Sequence, residues 1–170
     1  KSLSDPLGST VSDPIVLYDR EADRWLISMG SSAGFKVAIS VTNDPTGSYN
    51  VYSFSVGGFQ DFPKYGIYGN SYLITGNFSS NGRFYAMNRE KMITGDPTAE
   101  IINLNLPNYT GGTTFQSPQV AHSEGAGIAA GAVPIVWFQD DAWPGISTDH
   151  LKVWNFDVDW SDPSSATISD

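Results

Sequence analysis

The feature that most constrains this chain is a motif stated three times. The first copy opens at Asp13-Pro14-Ile15-Val16-Leu17-Tyr18-Asp19 and continues through Arg24-Trp25-Leu26-Ile27-Ser28 and Phe35-Lys36-Val37-Ala38-Ile39-Ser40. A turn at Asn43-Asp44-Pro45-Thr46-Gly47 then leads to Tyr49-Asn50-Val51-Tyr52-Ser53-Phe54. The second copy reads Phe62-Pro63-Lys64-Tyr65-Gly66-Ile67-Tyr68, Ser71-Tyr72-Leu73-Ile74-Thr75, Arg83-Phe84-Tyr85-Ala86-Met87 and, after Thr94-Gly95-Asp96-Pro97-Thr98, Glu100-Ile101-Ile102-Asn103-Leu104. The third opens at Ser117-Pro118-Gln119-Val120-Ala121 and runs through Ile135-Val136-Trp137-Phe138 and His150-Leu151-Lys152-Val153-Trp154-Asn155-Phe156. Its turn is Ser161-Asp162-Pro163-Ser164, before Ala166-Thr167-Ile168. Short β-branched and aromatic runs punctuated by Gly, Asn, Asp and Pro read as strands. The one helical turn expected lies within residues 85–95.

Four short strands in each unit of about 50 residues match the period of propeller blades. Such a blade is a twisted four-stranded sheet that is apolar on both faces and needs a neighbour on each side. Proline at the opening fits, because the first residue of a strand can do without a ladder N–H. Asp-Pro fits the third turn, since Asp caps it through its side chain and Pro presets φ at the next position. The expected fold is therefore all-β: about three four-stranded antiparallel blades of a partial propeller. Residues 1–11 are expected to be a linker or the end of a preceding blade. Blade 1 spans 12–58, blade 2 spans 59–112, and blade 3 spans 113–170 with a truncated outer strand. A β-sandwich built from the same strands is the alternative. Propellers close with about 4–8 blades, so the remaining blades are expected from the same protein or from another chain.

Composition narrows the function. The 170 residues carry a net charge of −9, and such an acidic surface does not suit a phosphate backbone, so no nucleic-acid partner is expected. The absence of Cys excludes disulfides, thiol nucleophiles and thiolate metal sites. The most apolar stretch, 127–138, is too short to span a membrane. His122 and His150 have no partner at a metal-ligand interval, and no nucleophile elbow or phosphate loop occurs.

In a propeller the first strand of each blade begins at the face that usually carries ligands, which makes Asp13, Asp61, Lys64 and Gln119 candidate binding residues. The insertion Gln139-Asp140-Asp141-Ala142-Trp143-Pro144-Gly145 belongs at the same face. Trp143 there is a candidate to stack on a sugar, and Asp140 and Asp141 are the candidate ligands for calcium, which takes about 6–8 oxygens. The bland reading is a solvated turn whose Trp packs on its own sheet. Asp19, Glu21 and Asp23 sit in the first hairpin, where charged turn residues are ordinary. Trp25, Trp137 and Trp154 read as sheet packing.

The opener Asp13-Pro14-Ile15-Val16-Leu17-Tyr18-Asp19 with Arg24-Trp25-Leu26-Ile27-Ser28 resembles a repeat in large secreted bacterial proteins exported through the type IX secretion pathway. The segments Phe62-Pro63-Lys64-Tyr65-Gly66-Ile67-Tyr68 and Asn88-Arg89-Glu90-Lys91-Met92-Ile93-Thr94-Gly95 carry the same resemblance. It implies a secreted or cell-surface location and a non-catalytic role in adhesion or scaffolding. The implied partners are a surface glycan or proteins of the envelope or secretion machinery. An Asp-Pro opener is also similar to that of propeller glycosidases. That likeness implies an alternative, glycoside hydrolysis, with Asp13 as base and Glu124 as acid. The bland reading has Asp13 capping its strand entry and Glu124 in a solvated loop.

Overall fold

The computed structural model describes residues 4–8, 13–58, 61–77, 82–109, 117–124 and 130–170. The protein is all-β, built from three four-stranded antiparallel sheets whose strands are consecutive in the chain. Sheet 1 contains β1 (Ile15–Asp19), β2 (Arg24–Ser31), β3 (Gly34–Ser40) and β4 (Tyr49–Ser55). Sheet 2 contains β5 (Asp61–Tyr68), β6 (Ser71–Asn77), β7 (Arg83–Asn88) and β8 (Ile101–Asn105). Sheet 3 contains β9 (Gln119–Val120), β10 (Val133–Gln139), β11 (His150–Asp157) and β12 (Thr167–Ser169). Two short α-helical pieces and a 3-10 turn complete the described chain: α1 (Ser4–Leu7), α2 (Arg89–Thr94), the latter within the expected helical segment, and Pro163–Ser165. No helix of the described residues is long and apolar enough to cross a membrane.

Because side chains alternate along a strand, each sheet has two faces, and the middle sheet uses both. Tyr72, Ile74, Tyr85 and Met87 enter a core shared with Leu26, Phe35, Val37, Ile39 and Tyr52 of sheet 1. The intervening Leu73, Phe84 and Ala86 enter a second core with Ile135, Trp137, Trp154 and Phe156 of sheet 3. Sheet 2 is thus buried between sheets 1 and 3, making three layers where a sandwich has two. A row of rings seals the second core: Tyr109 stacks on Trp137 at 4.4 Å, and Trp137 lies 6.0 Å from Trp154.

The third turn repeats in atomic detail in sheets 1 and 2, and sheet 3 keeps its side-chain bond alone. Asp44 Oδ1 accepts from the backbone N–H of Thr46 at 2.8 Å and from its hydroxyl at 2.7 Å. Asp96 Oδ1 accepts from the same two groups of Thr98, both at 2.8 Å. In sheet 3, Asp162 Oδ1 accepts from the Ser164 hydroxyl at 2.6 Å, at the start of a single 3-10 turn over Pro163–Ser165. Short polar side chains that satisfy the backbone two residues on are the chemistry such turns require.

The first strands of sheets 2 and 3 run side by side in the same direction. The Ile67 N–H donates to His122 Nδ1 at 3.1 Å, and the Ser123 N–H donates to the Ile67 carbonyl at 2.7 Å. Gly66 makes this approach possible, since a Cβ there would meet the Ala121 carbonyl oxygen at 2.4 Å.

Candidate functional site

Each sheet opens on a residue followed by proline, and the three residues preceding those prolines meet. Asp13 Oδ2 accepts from the Phe62 N–H at 3.1 Å, and the Ser117 hydroxyl lies 2.8 Å from the Phe62 carbonyl oxygen. Sequence equivalence of Asp13-Pro14, Phe62-Pro63 and Ser117-Pro118 has therefore become spatial adjacency. Around this contact the polar side chains form a chain: Ser117 Oγ lies 2.9 Å from Asn77 Oδ1, Asn77 Nδ2 donates to Asp61 Oδ2 at 3.4 Å, and Gln119 Nε2 donates to the Ser117 carbonyl at 3.0 Å. Lys64 completes it, its ammonium 3.1 Å from the centre of the Phe62 ring. Partial burial lowers the Lys64 pKa, and the nearby Asp13 carboxylate works against that shift.

The structure thus gathers Asp13, Asp61, Lys64 and Gln119 at one end of the molecule, and adds Phe62, Asn77 and Ser117. The signal for Phe62 and Ser117 was present in the sequence, one position before each opening proline. Phe62 is 44% exposed and has φ of 50°, as Asp13 has φ of 56°. The ladder of β5 and β6 skips at this point, with a register shift between Asp61 and Lys64.

The loop after β10 emerges at the same end, because β10 runs antiparallel to β9 with Val136 opposite Gln119. Asp140, Asp141 and Asp149 each bring a carboxylate oxygen within 4.8 Å of the others. Asp149 was not a candidate from sequence, but the pairing of Gln139 with His150 in the hairpin closes the loop on it. Part of the local hydrogen bonding is internal: Asp149 Oδ1 accepts from the Asp141 N–H and Asp140 Oδ1 from the Ala142 N–H, both at 2.8 Å. Three carboxylates supply only part of a calcium shell of about 6–8 oxygens. Trp143 is half-buried, with its ring 5.7 Å from that of Trp137.

Glu124 lies elsewhere. It follows β9, beside the end of β5 where Ile67 meets His122, and its Oε1 is 3.7 Å from His122 Nε2. Asp13 sits at the beginning of β1, beside Phe62 and one contact away from Ser117. Asp13 meets Phe62 and Glu124 lies by His122 beside Ile67, and at about 3.3 Å per residue the β5 segment from Phe62 to Ile67 sets those contacts roughly 15 Å apart. Paired glycosidase carboxylates stand about 5–9.5 Å apart, and the structure does not bring Asp13 and Glu124 together.

The far end also holds a buried ion pair that the charged-turn reading of Asp19 missed. Asp19 is 2% exposed and accepts from Arg89 Nε at 2.6 Å, from Arg89 Nη2 at 2.7 Å and from the Tyr72 hydroxyl at 2.8 Å. Burial opposes ionisation of Asp19, but the hydrogen bonds from Arg89 and Tyr72 outweigh it and hold the carboxyl below its ordinary range. Burial pushes the Tyr72 hydroxyl well up, and the adjacent carboxylate adds to the shift. With its carboxylate neutralised on both oxygens, Asp19 pins sheet 1 to sheet 2. Trp160 pins sheet 3 to sheet 2 in turn, its Nε1–H donating to Ser71 Oγ at 3.1 Å.

Comparison with protein-family models, with curated proteins and with solved structures gives no match.

Proposed function

We propose that the chain is a non-catalytic binding and scaffold module of a secreted or cell-surface bacterial protein, with its three sheets disposed as successive blades of a propeller. The observation that carries the reading is the repeated stacking: sheet 1 packs on sheet 2 as sheet 2 packs on sheet 3, through equivalent faces. The parallel run of β5 beside β9 is the neighbour relation that first strands of adjacent blades have around an axis. By the same repetition, the outer face of sheet 3 receives a further sheet of this repeat, from the same protein or another chain. Adhesion to a surface glycan or an envelope protein would use the opener end, where Asp61, Lys64, Gln119 and Trp143 lie with the loop of Asp140, Asp141 and Asp149. Calcium enters this reading as a staple for that loop, and not as a catalytic ion. The type IX resemblance of the opener segments supports the location.

Catalysis and binding separate in one experiment. Wild type and Asp13→Asn are incubated with a panel of neutral and acidic polysaccharides, and both the release of reducing ends and retardation in polysaccharide-containing native gels are measured. Retention without release is expected. Release of reducing ends that Asp13→Asn abolishes overturns the reading in favour of a hydrolase.

A further inference from the structure

Sheets 1 and 2 meet through two unlike halves. Sheet 1 supplies Leu26, Phe35, Val37 and Ile39, and sheet 2 supplies Ile67, Tyr72, Ile74 and Tyr85. Aligning the units on their opening prolines, and following the strand pairing outward, finds the counterpart of each half elsewhere in the chain. Leu17 and Ala121 each stand three residues after their proline. Leu17 pairs with Leu26, which pairs with Ile39. Ala121 lies opposite Pro134, which pairs with Asn155. Phe35 and Val37, four and two residues before Ile39, therefore correspond to Leu151 and Val153, four and two before Asn155. The sheet 1 pair is buried against sheet 2, whereas Leu151 and Val153 are exposed on the outer face of sheet 3, with Phe138 across the ladder from Leu151.

The other half recurs on sheet 1. Tyr65 and Ile67, two and four residues after Pro63, correspond to Val16 and Tyr18, two and four after Pro14. Their ladder partners Ile74 and Tyr72 correspond to Ile27 and Trp25. Leu17 and Leu26 point into the first core, so alternation puts Val16, Tyr18, Trp25 and Ile27 on the outer face of sheet 1. Val16 and Tyr18 are exposed there, as is Val51 opposite Ala38 in the same row. The N-terminal turn meets this face one row away, where Lys36 Nζ donates to the Leu7 carbonyl. The two halves of one sheet-to-sheet contact thus stand in solvent on opposite outer faces of the chain. Exposed apolar surface of this extent marks an interaction site, and the surface that matches it by position belongs to the same sequence. A head-to-tail contact builds a ring when its rotation closes and a filament when it does not. Two copies of three sheets each supply six, within the about 4–8 of propellers, and nine from three copies would exceed that range. We propose that the outer face of sheet 3 docks the outer face of sheet 1 of a second copy of this chain, and that two copies close a ring of six sheets. Closure at two rests on the blade reading above, and the docking rests on the repeated contact.

The test is sedimentation velocity of the whole chain at rising concentration, with two variants that each close one face. Val16→Glu with Val51→Glu closes sheet 1, and Phe138→Lys with Leu151→Lys closes sheet 3. All four side chains are exposed, so melting temperatures should stay near wild type. Wild type should saturate as a dimer, and each variant alone should associate about 10-fold or more weakly, because a charge is buried in both of its contacts. An equimolar mixture of the variants should dimerise again. One of its contacts joins two unaltered faces, and the other sets Glu against Lys. A monomeric wild type, a variant that dimerises as wild type does, or a mixture no stronger than its components overturns the proposal and leaves the three sheets as blades. Growth of the wild type past the dimer, with the mixture restored, keeps the docking and overturns the closed ring together with the blade reading.

Discussion

Removing the Asp19 carboxylate leaves Arg89 charged in a site where both side chains are nearly inaccessible, at 1% and 7% exposure. Breaking a buried pair from one side costs about 3–5 kcal/mol, much more than the pair itself contributes over an apolar replacement. Asp19→Asn should therefore lower unfolding stability by about that amount in urea titrations at pH 7, whereas the double replacement Asp19→Leu with Arg89→Met should cost much less. The pH dependence follows from the direction of the shift. With the folded carboxyl held below its unfolded value of about 3.9, the stabilisation is complete above that value and lost as pH falls through the folded pKa. The stability gap between wild type and Asp19→Asn should then be widest near neutrality and narrow below about pH 4. A gap constant from pH 7 to pH 2 would show that ionisation of Asp19 is not what holds the two sheets. Gly66 makes a second test at this scale. Its missing Cβ lets Ala121 come close, so Gly66→Ala should cost about 1–3 kcal/mol through overpacking against backbone.

At the scale of elements, α2 shows how a six-residue helix is stopped at both ends. Asn88 Oδ1 accepts from the Lys91 N–H at 3.1 Å, and Gly95 closes the helix at φ of 77° with a Cβ position only 2.9 Å from Asn50 Oδ1. Asn88→Ala should cost about 0.5–2 kcal/mol, measured by thermal or urea unfolding. The cost should exceed that of a solvent-exposed cap, because Asn88 Nδ2 also donates to Glu100 at 3.2 Å. Strands and turns such as these were legible because their signals are local. The short apolar run in Arg24-Trp25-Leu26-Ile27-Ser28 marks a strand, and the Asp-Pro turns carry their own hydrogen-bond partners two residues on. The three-sheet grouping was legible because the motif repeats. What sequence did not show was set by contacts between sheets. Asp19 looked like a hairpin residue, since nothing near it in sequence announces Arg89, seventy residues away. Phe62 lies in β5 as its sequence suggests, but its place outside the ladder at positive φ depends on Asp13 and Ser117 arriving from two other units. Asp149 joined Asp140 and Asp141 only through the register of β10 and β11.

Over the whole molecule, burial is unequal, because sheet 2 has neighbours on both faces and the outer sheets share one core each. Hydrogen exchange should accordingly be slowest in β6 and β7, where Tyr72, Leu73, Ile74 and residues 84–87 are fully buried. It should be faster in β12, which is three residues long and has no buried position. The outer faces differ as well. On sheet 1, the N-terminal turn contributes Leu7, 2% exposed, and Lys36 Nζ donates to its carbonyl at 2.7 Å. On sheet 3, Phe138, Leu151 and Val153 are 50%, 64% and 41% exposed, and cross-strand pairing sets Phe138 beside Leu151 and Val136 beside Val153. On the reading proposed above, this apolar patch, on a face whose counterparts in sheets 1 and 2 are covered, would receive a further sheet of the same repeat, and a second copy of the chain would supply one in solution. Sedimentation velocity should show reversible, concentration-dependent association that Phe138→Lys with Leu151→Lys removes. The melting temperature of the dilute protein should hardly change, since both side chains are already in water. A wild type that stays monomeric at high concentration and binds no apolar dye would mean that this face is finished as it stands, and the expectation of a further sheet would fall.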